Sequence, residues 1–289
     1  MNQRIKDRIA EVVYIIYKKG IFANKIKVYS VNETLDLLLH TEKSLVRFGD
    51  GEITMIRGRN LKLQAVNPTL IGELKKILGY EYDDLMVSIP DIFDGVEQYH
   101  AASRQFWKDH LLFSRRIYEK YCNKNRVYCN TSVSRCYYAF KDKTPCAKWF
   151  TDIRQVWAGK KIVVVEGESS HCGVGNDLFD TASEVRRIIG PAKNAYQKLE
   201  EIKKTCMEFS KECLFLLALG AAAKPLAEAL FLQGYRVIDI GNLDMEYEWY
   251  LRKAEKKIPL QKHSVIGKEA NEKAGYDEYL KQVYRYIEL

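Results

Sequence analysis

The sequence contains no apolar run approaching the roughly 20 residues that a membrane-spanning helix requires. Charges flank and interrupt the apolar stretch near its start, and no small-residue cleavage site follows, so a signal peptide is not indicated. The seven cysteines form no CxxC pair, which disfavours both a zinc site and a disulfide framework. These absences predict a cytoplasmic protein with reduced, mostly buried thiols.

Long blocks of charge of one sign are also missing. The 46 lysines and arginines exceed the 38 aspartates and glutamates, which gives a net charge of +8, but the two signs are interspersed along the chain. This mixing argues against a nucleic-acid partner, whose binding surface usually needs clustered basic residues. A modest positive excess suits an anionic small molecule such as a nucleotide diphosphate, or an anionic membrane surface.

The chain has no internal repeat, no low-complexity tract and no linker rich in proline, glycine or serine. Residues 1–289 are therefore predicted to form a single domain, with an amphipathic helix at roughly residues 1–20. We expect this helix to pack against the rest of the protein. Peripheral contact with a membrane, and contact with a second copy in a homo-oligomer, remain open.

Six short apolar runs predict buried strands. They are Leu45–Phe48, Leu85–Ile89, Val127–Asn130, Ile162–Val165, Leu214–Leu219 and Val237–Ile240. Amphipathic segments predict the helices Val31–His40, Pro68–Leu78, Glu97–Tyr121, Ala147–Trp157, Ala195–Phe209 and Ala222–Leu232. This alternation indicates an α/β fold, Rossmann-like, with a mainly parallel central sheet flanked by helices. Ligands bind such sheets at the carboxyl ends of the strands.

Two of these helices carry clear start signals. Ser30 and Glu33 form the pattern of a capping box at the start of the first predicted helix after residue 30. Asn67 precedes Pro68, which is a cap followed by proline at the first helical position.

Aromatic residues recur at helix-like spacing around residues 99–118. They are Tyr99, Phe106, Trp107, Phe113 and Tyr118. Because this spacing places them on a helix face, we expect them in the core rather than as a platform for a sugar ring.

The first unusual loop has the sequence RFGDGE and directly follows a predicted strand. Gly49 and Gly51 allow a tight turn and a close approach of the backbone to a ligand. Asp50 and Glu52 would point the same way if the segment is extended. Together with Arg47, the paired acids suit the phosphates and hydroxyls of a sugar nucleotide, so we favour this function over a solvated surface turn.

The second loop, EGESSHCGVGND, follows the strand Ile162–Val165. It resembles a phosphate-binding strand–loop–helix, in which free backbone amides at the start of the next helix face the ligand. It lacks the Gly-Lys-Ser/Thr of a Walker motif and the spacing of a dinucleotide fingerprint. Its candidate nucleotide-binding residues are Glu168, Gly173, Gly175, Asn176 and Asp177.

The third loop, GNLDMEYEW, follows the strand Val237–Ile240. Asp244 and Glu246 form an acid–x–acid pair, and carboxylate oxygens are the ligands that Mg²⁺ and Mn²⁺ prefer. An acidic first turn of a helix would give the same pattern, because the helix dipole favours negative charge there. The position after a strand, beside Tyr247 and Trp249, favours the metal site.

Six motifs, taken in sequence order, resemble those of the GT-D-fold glycosyltransferases, a bacterial family. They are RFGDGE, the Ile-Pro-Asp after a mid-chain strand, VEGESSHCGVGNDLF, RIIGPAKNAY, LALGAAAKPLAEAL and YRVIDIGNLDMEYEW. The resemblance covers roughly residues 30–270, which is most of the chain. It implies a Rossmann-like fold distinct from the two common glycosyltransferase folds.

The resemblance also implies a UDP-sugar donor, typically UDP-glucose, and a divalent ion bound through an acid–x–acid motif. Two stretches fit that motif, Asp50–Glu52 and Asp244–Glu246, and we expect the second to hold Mn²⁺ or Mg²⁺. Such enzymes extend glycans on bacterial surface adhesins or build surface polysaccharide. The expected acceptor is therefore a glycan or a glycoprotein.

On this interpretation the remaining charged residues have distinct roles. Arg47 and Lys193 add positive charge near the phosphates of the donor. Asp50 or Glu52 acts as the general base on the acceptor hydroxyl if the reaction inverts the sugar configuration.

Two other classes of protein stay open at this stage. A nucleoside-processing transferase or hydrolase also uses paired acids on a parallel sheet, but would need no metal. A non-catalytic nucleotide-binding module would use the acids to recognise ribose hydroxyls, and would release no UDP from UDP-sugars.

Overall fold

A parallel sheet forms the centre of the computed structural model, which describes residues 3–18, 26–79, 82–260, 262 and 275–289. The strands within these residues are β1 (Lys27–Val28), β2 (Ser44–Arg47), β3 (Leu85–Ile89), β4 (Val127–Asn130), β5 (Lys161–Gly167), β6 (Glu184–Gly190), β7 (Leu214–Ala218), β8 (Arg236–Asp239) and β9 (Val283–Tyr286). Their order across the sheet is β1-β4-β3-β2-β8-β7-β5-β6-β9, and all neighbours are parallel.

Helices cover both faces of this sheet. They are α1 (Gln3–Lys18), α2 (Val31–His40), α3 (Asp50–Ile56), α4 (Pro68–Leu78), α5 (Ala101–Tyr121), α6 (Cys146–Gln155), α7 (Leu199–Cys206), α8 (Ala223–Leu232), α9 (Leu243–Leu251) and α10 (Tyr276–Gln282). One layer contains α3, α4, α5, α7 and α8, with α1 packed on α5, and the opposite layer contains α2, α6 and α9.

Successive side chains of the strands contribute in turn to the two apolar cores, one on each face of the sheet. Val163 and Val165 of β5 belong to the core under α3, α4, α5, α7 and α8, whereas Ile162 and Val164 belong to the core under α2, α6 and α9. Successive side chains of a strand point to opposite faces, so a sheet covered on both sides needs continuous apolar runs. This is why most of the strands are visible in the sequence.

The strands β2 and β8 lie side by side in the middle of the sheet, with Leu45 aligned to Ile238. From β2 the chain continues to β3 and β4 on one side, whereas β8 completes the half that contains β5, β6 and β7. Connections that leave neighbouring strands in opposite directions open a crevice at the carboxyl ends of those strands. The crevice beside β2 and β8 is therefore where a ligand is expected.

The predicted fold class is confirmed, and all six predicted strands are present within one or two residues of their expected bounds. The strands β1, β6 and β9 are not among the predictions. In β6 the charged residues Glu184, Arg186 and Arg187 occupy the first half, so no apolar run is visible. β1 has two residues and β9 is a largely exposed edge strand, and neither shows a buried pattern.

The predicted helix starts are largely confirmed. Ser30 forms the capping box of α2, and the Asn67 side chain accepts hydrogen bonds from the first turn of α4. The predicted helix Glu97–Tyr121 begins later, because His100 caps α5. The predicted N-terminal helix is present as α1, and residues 1, 2, 19 and 20 of that prediction lie outside the described residues.

The aromatic residues expected in the core divide into two groups. Tyr99 and Tyr118 are buried as expected, whereas Phe106 and Phe113 are each 47% exposed. Phe113 lies under the cations of Lys6 and Arg57 instead of in the core. Helical spacing alone therefore does not separate the inner face of α5 from its outer face.

All seven cysteines are unpaired and buried, as predicted. Among the described residues, no helix combines the length and the apolar character that crossing a membrane requires.

The contribution of the capping box of α2 to stability can be tested directly. Ser30 Oγ accepts a hydrogen bond from Glu33 N at 3.2 Å, and Glu33 Oε2 accepts one from Ser30 N at 2.7 Å. Ser30→Ala removes the first of these bonds and should lower the free energy of unfolding by about 1 kcal/mol, measured by urea denaturation. Ser183→Ala is the control, because Ser183 is exposed and caps no helix. Equal stability of the two variants would contradict the role of the cap.

Candidate active site

A cavity of about 710 Å³ opens at the carboxyl ends of the central strands. Residues that follow β2, β4, β5, β7 and β8 line it, and the first turns of α5 form one wall. The charged groups in the lining are Arg47, Lys62, Arg135, Lys224, Lys257, Asp50, Glu52 and Glu246. Because five of these are cations and three are carboxylates, the cavity favours an anionic ligand.

Two helices start at the floor of this cavity. Gly220, with φ of 57°, leads through a 3₁₀ turn into α8, and Gly241, with φ of 48°, leads into α9. Both glycines hold a backbone conformation that other residues rarely adopt. The free N–H groups and the dipole at a helix start favour negative charge, so these two helices add to the effect of the cations.

A buried ion cluster joins the loops around the cavity. The Lys224 ammonium of α8 lies 2.8 Å from Glu52 Oε1 and 3.1 Å from Asp239 Oδ2. It also donates to the Gly220 carbonyl at 3.0 Å. Since these three charged side chains are almost fully buried, the cluster fixes α3, α8 and the end of β8 relative to one another.

The position of Glu52 sets its protonation. Glu52 Oε2 accepts a hydrogen bond from Gly49 N at 2.7 Å, while Oε1 pairs with Lys224. Burial raises the pKa of Glu52, but the nearby charges of Lys224 and Arg47 outweigh it and bring the pKa down to about 2. A carboxylate this acidic is a poor general base near neutral pH.

Arg47 lies at the end of β2, and its guanidinium has hydrogen-bond donors that the protein uses only in part. Its Nη1 donates to Thr131 Oγ1 at 3.3 Å, and the guanidinium packs on Gly241, where a Cβ would lie 2.4 Å from Nη2. The Arg47 side chain is buried, yet its Nε finds no acceptor among the described residues. A buried donor without an acceptor in the cavity wall points to a ligand that supplies one.

Arg135 is the second guanidinium in the cavity and follows the 3₁₀ turn Thr131–Ser134 after β4. Burial lowers the pKa of Arg135, the charge of Arg47 lowers it further, and the carboxylates of Glu246, Asp50 and Glu52 oppose the shift. Two buried cations in mutual repulsion are stabilised when an anion lies between them.

The two carboxylates of the predicted metal pair lie on different sides of α9. Glu246 faces the cavity, and its Oε2 accepts from Tyr137 N at 3.0 Å and Tyr138 N at 2.7 Å. Asp244 is outside the cavity lining, and its Oδ1 accepts from Lys262 Nζ at 2.9 Å. Residues two apart on a helix are turned by about 200°, so an acid–x–acid pair cannot converge there.

The same geometry separates Asp50 from Glu52. The RFGDGE segment is not extended as expected, because α3 begins at Asp50 with Gly49 as its N-cap. Both acids line the cavity, but Glu52 is bound to Lys224 and to the Gly49 amide. Within the described part of the chain, the Asp50 carboxylate has no hydrogen-bond or ion-pair partner. The extended conformation on which the expected orientation of the two acids depended is therefore absent.

The second loop differs most from its prediction, since no helix begins between residues 168 and 183. The strand–loop–helix expected there is wrong. Gly173, Gly175, Asn176 and Asp177 lie outside the cavity lining. Asn176 Nδ2 donates to Asp244 and Glu248, and Asp177 pairs with Arg154, so both side chains connect this loop to other elements. Glu168 and Lys193 are also absent from the lining.

Of the predicted nucleotide-binding residues, the structure brings Arg47, Gly49 and Gly51 to the cavity. From the second loop, other members line it, namely Gly167, Ser169 and Ser170. The cavity residues missing from the prediction include Arg135, Lys224, Gly220 and Gly241. A signal for two of them is present in the sequence LGAAAK, where small residues directly after a strand precede a lysine.

The amino-acid sequence of the chain matches a family model and two curated relatives. A family model described as the glycosyltransferase GT-D fold matches residues 45–268. The probable glycosyl transferase Gly of Streptococcus gordonii is 42% identical over 242 residues, which are 83% of this chain and 35% of that protein. The glycosyltransferase GlyD of Streptococcus pneumoniae serotype 4 (strain ATCC BAA-334 / TIGR4) is 37% identical over 234 residues, which are 81% of this chain and 29% of that protein. The chain thus spans about a third of the length of these two relatives.

Solved structures resemble more than nine-tenths of the chain, and two of them illustrate the similarity. One is a highly conserved domain of unknown function 1792 with a distinct glycosyltransferase fold; it has a TM-score of 0.87 and 35% identity, covering 95% of this chain and 99% of the other. The second is a glycosyltransferase of the same domain type from Streptococcus sanguinis, with a TM-score of 0.84 and 39% identity, covering 91% of this chain and 100% of the other.

The ion cluster predicts a large stability effect at one residue. Lys224→Met leaves Glu52 and Asp239 buried without their counter-ion and should lower the free energy of unfolding by about 3–5 kcal/mol. Because the pKa of Glu52 is depressed from 4.5 to about 2, the ionised pair stabilises the wild type above pH 4.5 and loses this contribution as the pH falls toward 2. The difference in free energy of unfolding between wild type and variant should therefore become smaller in acid. Denaturant titrations at several pH values measure this difference.

Lys281→Met is the matched control for this variant. Lys281 pairs with Glu278 at 3.5 Å, but both side chains are mostly exposed, so its loss should cost no more than about 1 kcal/mol. Similar losses for Lys224→Met and Lys281→Met would show that the buried cluster does not hold the site together.

Proposed function

The chain belongs to the GT-D glycosyltransferase family. On this premise we propose that it transfers a sugar from a UDP-sugar to a glycan or glycoprotein of the bacterial surface.

 Glucose is the unit we assign to the donor, and a divalent cation assists its transfer. The reaction breaks the bond between the anomeric carbon and the diphosphate, and forms a bond from that carbon to an acceptor oxygen. The nucleoside diphosphate leaves with the bonding electrons.

One observation carries this proposal, namely the buried donor of Arg47 that has no acceptor in the wall of a cationic cavity. The charge of Lys224 is already balanced by Glu52 and Asp239, so it adds little attraction for a ligand. Arg47 and Arg135 line the cavity and form no ion pair within the described part of the chain. A diphosphate between these two guanidinium groups and the starts of α8 and α9 would have its leaving charge stabilised by fixed donors.

For the general base, the geometry favours Asp50 over Glu52. Both oxygens of Glu52 are engaged, and its pKa of about 2 makes proton uptake unfavourable. The Asp50 carboxylate faces the cavity and has no partner in the described part of the chain. We assign Asp50 to take the proton of the acceptor hydroxyl in an inverting transfer.

The cation, Mn²⁺ or Mg²⁺, would need coordinating oxygens from the substrate as well as from the protein. No cluster of three or more His, Cys, Asp or Glu suited to a metal occurs among the described residues. Glu246 faces the cavity, and its Oε1 has no donor in the described chain, so we assign the protein's share of the coordination to Glu246 rather than to Asp244. Diphosphate oxygens would complete the ligand set, and the ion would neutralise charge on the leaving group.

The donor proposal is tested by thermal unfolding with nucleotide diphosphates. UDP with Mn²⁺ should stabilise the protein by about 2.7 kcal/mol at a hundredfold excess over its dissociation constant. ADP and GDP should give smaller shifts, and EDTA should reduce the shift by UDP. Incubation with a panel of UDP-sugars should release UDP fastest from UDP-glucose. A flat response to every nucleotide would overturn the proposal.

The base assignment is tested by two matched variants. Asp50→Asn should lower the rate of transfer by roughly 10²–10⁴-fold, because the proton acceptor is lost while the size of the side chain is kept. UDP affinity, measured by calorimetry, should change little. Asp84→Asn is the control, since Asp84 is exposed and lies outside the cavity lining. Loss of UDP affinity in Asp50→Asn would reassign Asp50 to donor binding.

A further inference from the structure

The N-terminal helix α1 turns its most apolar face to solvent. Ile5, Ile9, Val12 and Ile15 are each between 40% and 55% exposed. Positions 5, 9 and 12 are spaced by four and three residues, so their side chains lie on one side of the helix. A helix at the surface of a protein normally buries such a stripe against the core.

The opposite side of α1 packs on α5 and combines the buried Ala10 and Tyr14 with several polar contacts. Lys6 pairs with Asp109, and Glu11 pairs with Lys108 at 2.5 Å. Gln105 Nε2 of α5 donates to Asp7 at 3.4 Å. The two acids of α1 are thus bound by groups of α5, while its isoleucines are not. The helix α1 therefore carries apolar residues both on its buried side and on its exposed side.

Cations and one further aromatic ring accompany the apolar stripe. Arg8 is exposed on α1 beside it. On α5 the half-exposed ring of Phe113 lies 5.9 Å from Lys6 Nζ and 5.4 Å from the guanidinium carbon of Arg57. We call this surface the α1 face and define it by Ile5, Ile9, Val12, Ile15, Arg8 and Phe113. It combines apolar side chains with positive charge.

We propose that the α1 face docks on an anionic lipid surface. Helices that lie in a membrane interface bury one apolar face at the level of the headgroups and place Lys or Arg beside it. The cations flanking the stripe would meet anionic headgroups, and the net charge of +8 acts in the same direction.

A second copy of the chain fits this surface less well. Two α1 faces related by a two-fold axis would bring the exposed Arg8 of one copy toward the Arg8 of the other, which disfavours pairing. An anionic lipid surface supplies the opposite charge instead. Charge complementarity therefore selects the lipid surface as the occupant.

Docking through α1 would also determine where the cavity lies. The helix α5 carries α1 on one side, and its residues Ala102, Ser103 and Phe106 line the cavity. The cavity would thus be held near the lipid surface by a single rigid helix. This inference is independent of which nucleotide sugar is the donor.

The test is co-sedimentation of the full chain with vesicles. Vesicles of equal parts phosphatidylglycerol and phosphatidylcholine should bind the protein, and vesicles of phosphatidylcholine alone should bind it much less. Ile9→Glu combined with Val12→Glu should lower the bound fraction about tenfold, and so should molar salt. Leu232→Glu is the matched control, because Leu232 at the end of α8 is exposed to a similar degree as Val12 but lies outside the α1 face.

Several results would overturn the inference. These are absence of binding to the anionic vesicles, equal binding to both kinds of vesicle, and equal loss of binding in Leu232→Glu and in the double variant. A fourth contradicting result would come from light scattering without lipid. If the wild type is a dimer that does not bind vesicles, and the double variant is a monomer, the α1 face would be assigned to a second copy. Thermal melts establish that each variant is folded, as expected for substitutions at exposed positions.

Discussion

The ion cluster of Lys224 with Glu52 and Asp239 is the constraint on which the arrangement of the site depends. It joins the first turns of α3 and α8 to the end of β8 through side chains that are removed from water. Charges in such surroundings are stable only when every partner is present. Because the cluster satisfies Glu52 and Lys224, the charges of Arg47 and Arg135 remain available to a ligand. The division between structural and functional charge in the cavity follows from these two contacts.

Helical periodicity explains why the two acids of each acid–x–acid motif have different surroundings. The sequence shows Asp50 with Glu52 and Asp244 with Glu246, and either pair would converge in an extended segment. In the structure each pair lies in the first turn of a helix. Glu52 is bound to Lys224, and Asp244 lies outside the cavity lining, whereas Asp50 and Glu246 line the cavity without such a cation partner among the described residues. Whether a short segment after a strand is extended or helical depends on its packing, which the residues of the loop alone do not determine.

The central strands and the capped helices are predictable from the sequence because their signals are local. A buried strand needs an apolar run, and Ser30 or Asn67 caps the helix that directly follows it. The partners of a charged side chain are not local. Arg187 in β6 looks like a surface residue until its buried pair with Glu166 is seen, and Arg135 reaches the cavity only through the position of β4. The sequence therefore indicates which loops surround the cavity, but not which role each residue of those loops has.

The pairing of β2 with β8 has a consequence for how the protein is made. Arg47 N and Asp239 Oδ2, which lie 3.4 Å apart, are separated by 192 positions along the chain. A ribosome must therefore release most of the polypeptide before these two ends of the crevice can meet, and contacts so distant in sequence close slowly. A nascent chain that stops before β8 has neither Asp239 to balance Lys224 nor Gly241 to accommodate Arg47. Synthesis thus completes the cavity only after β8 has left the ribosome.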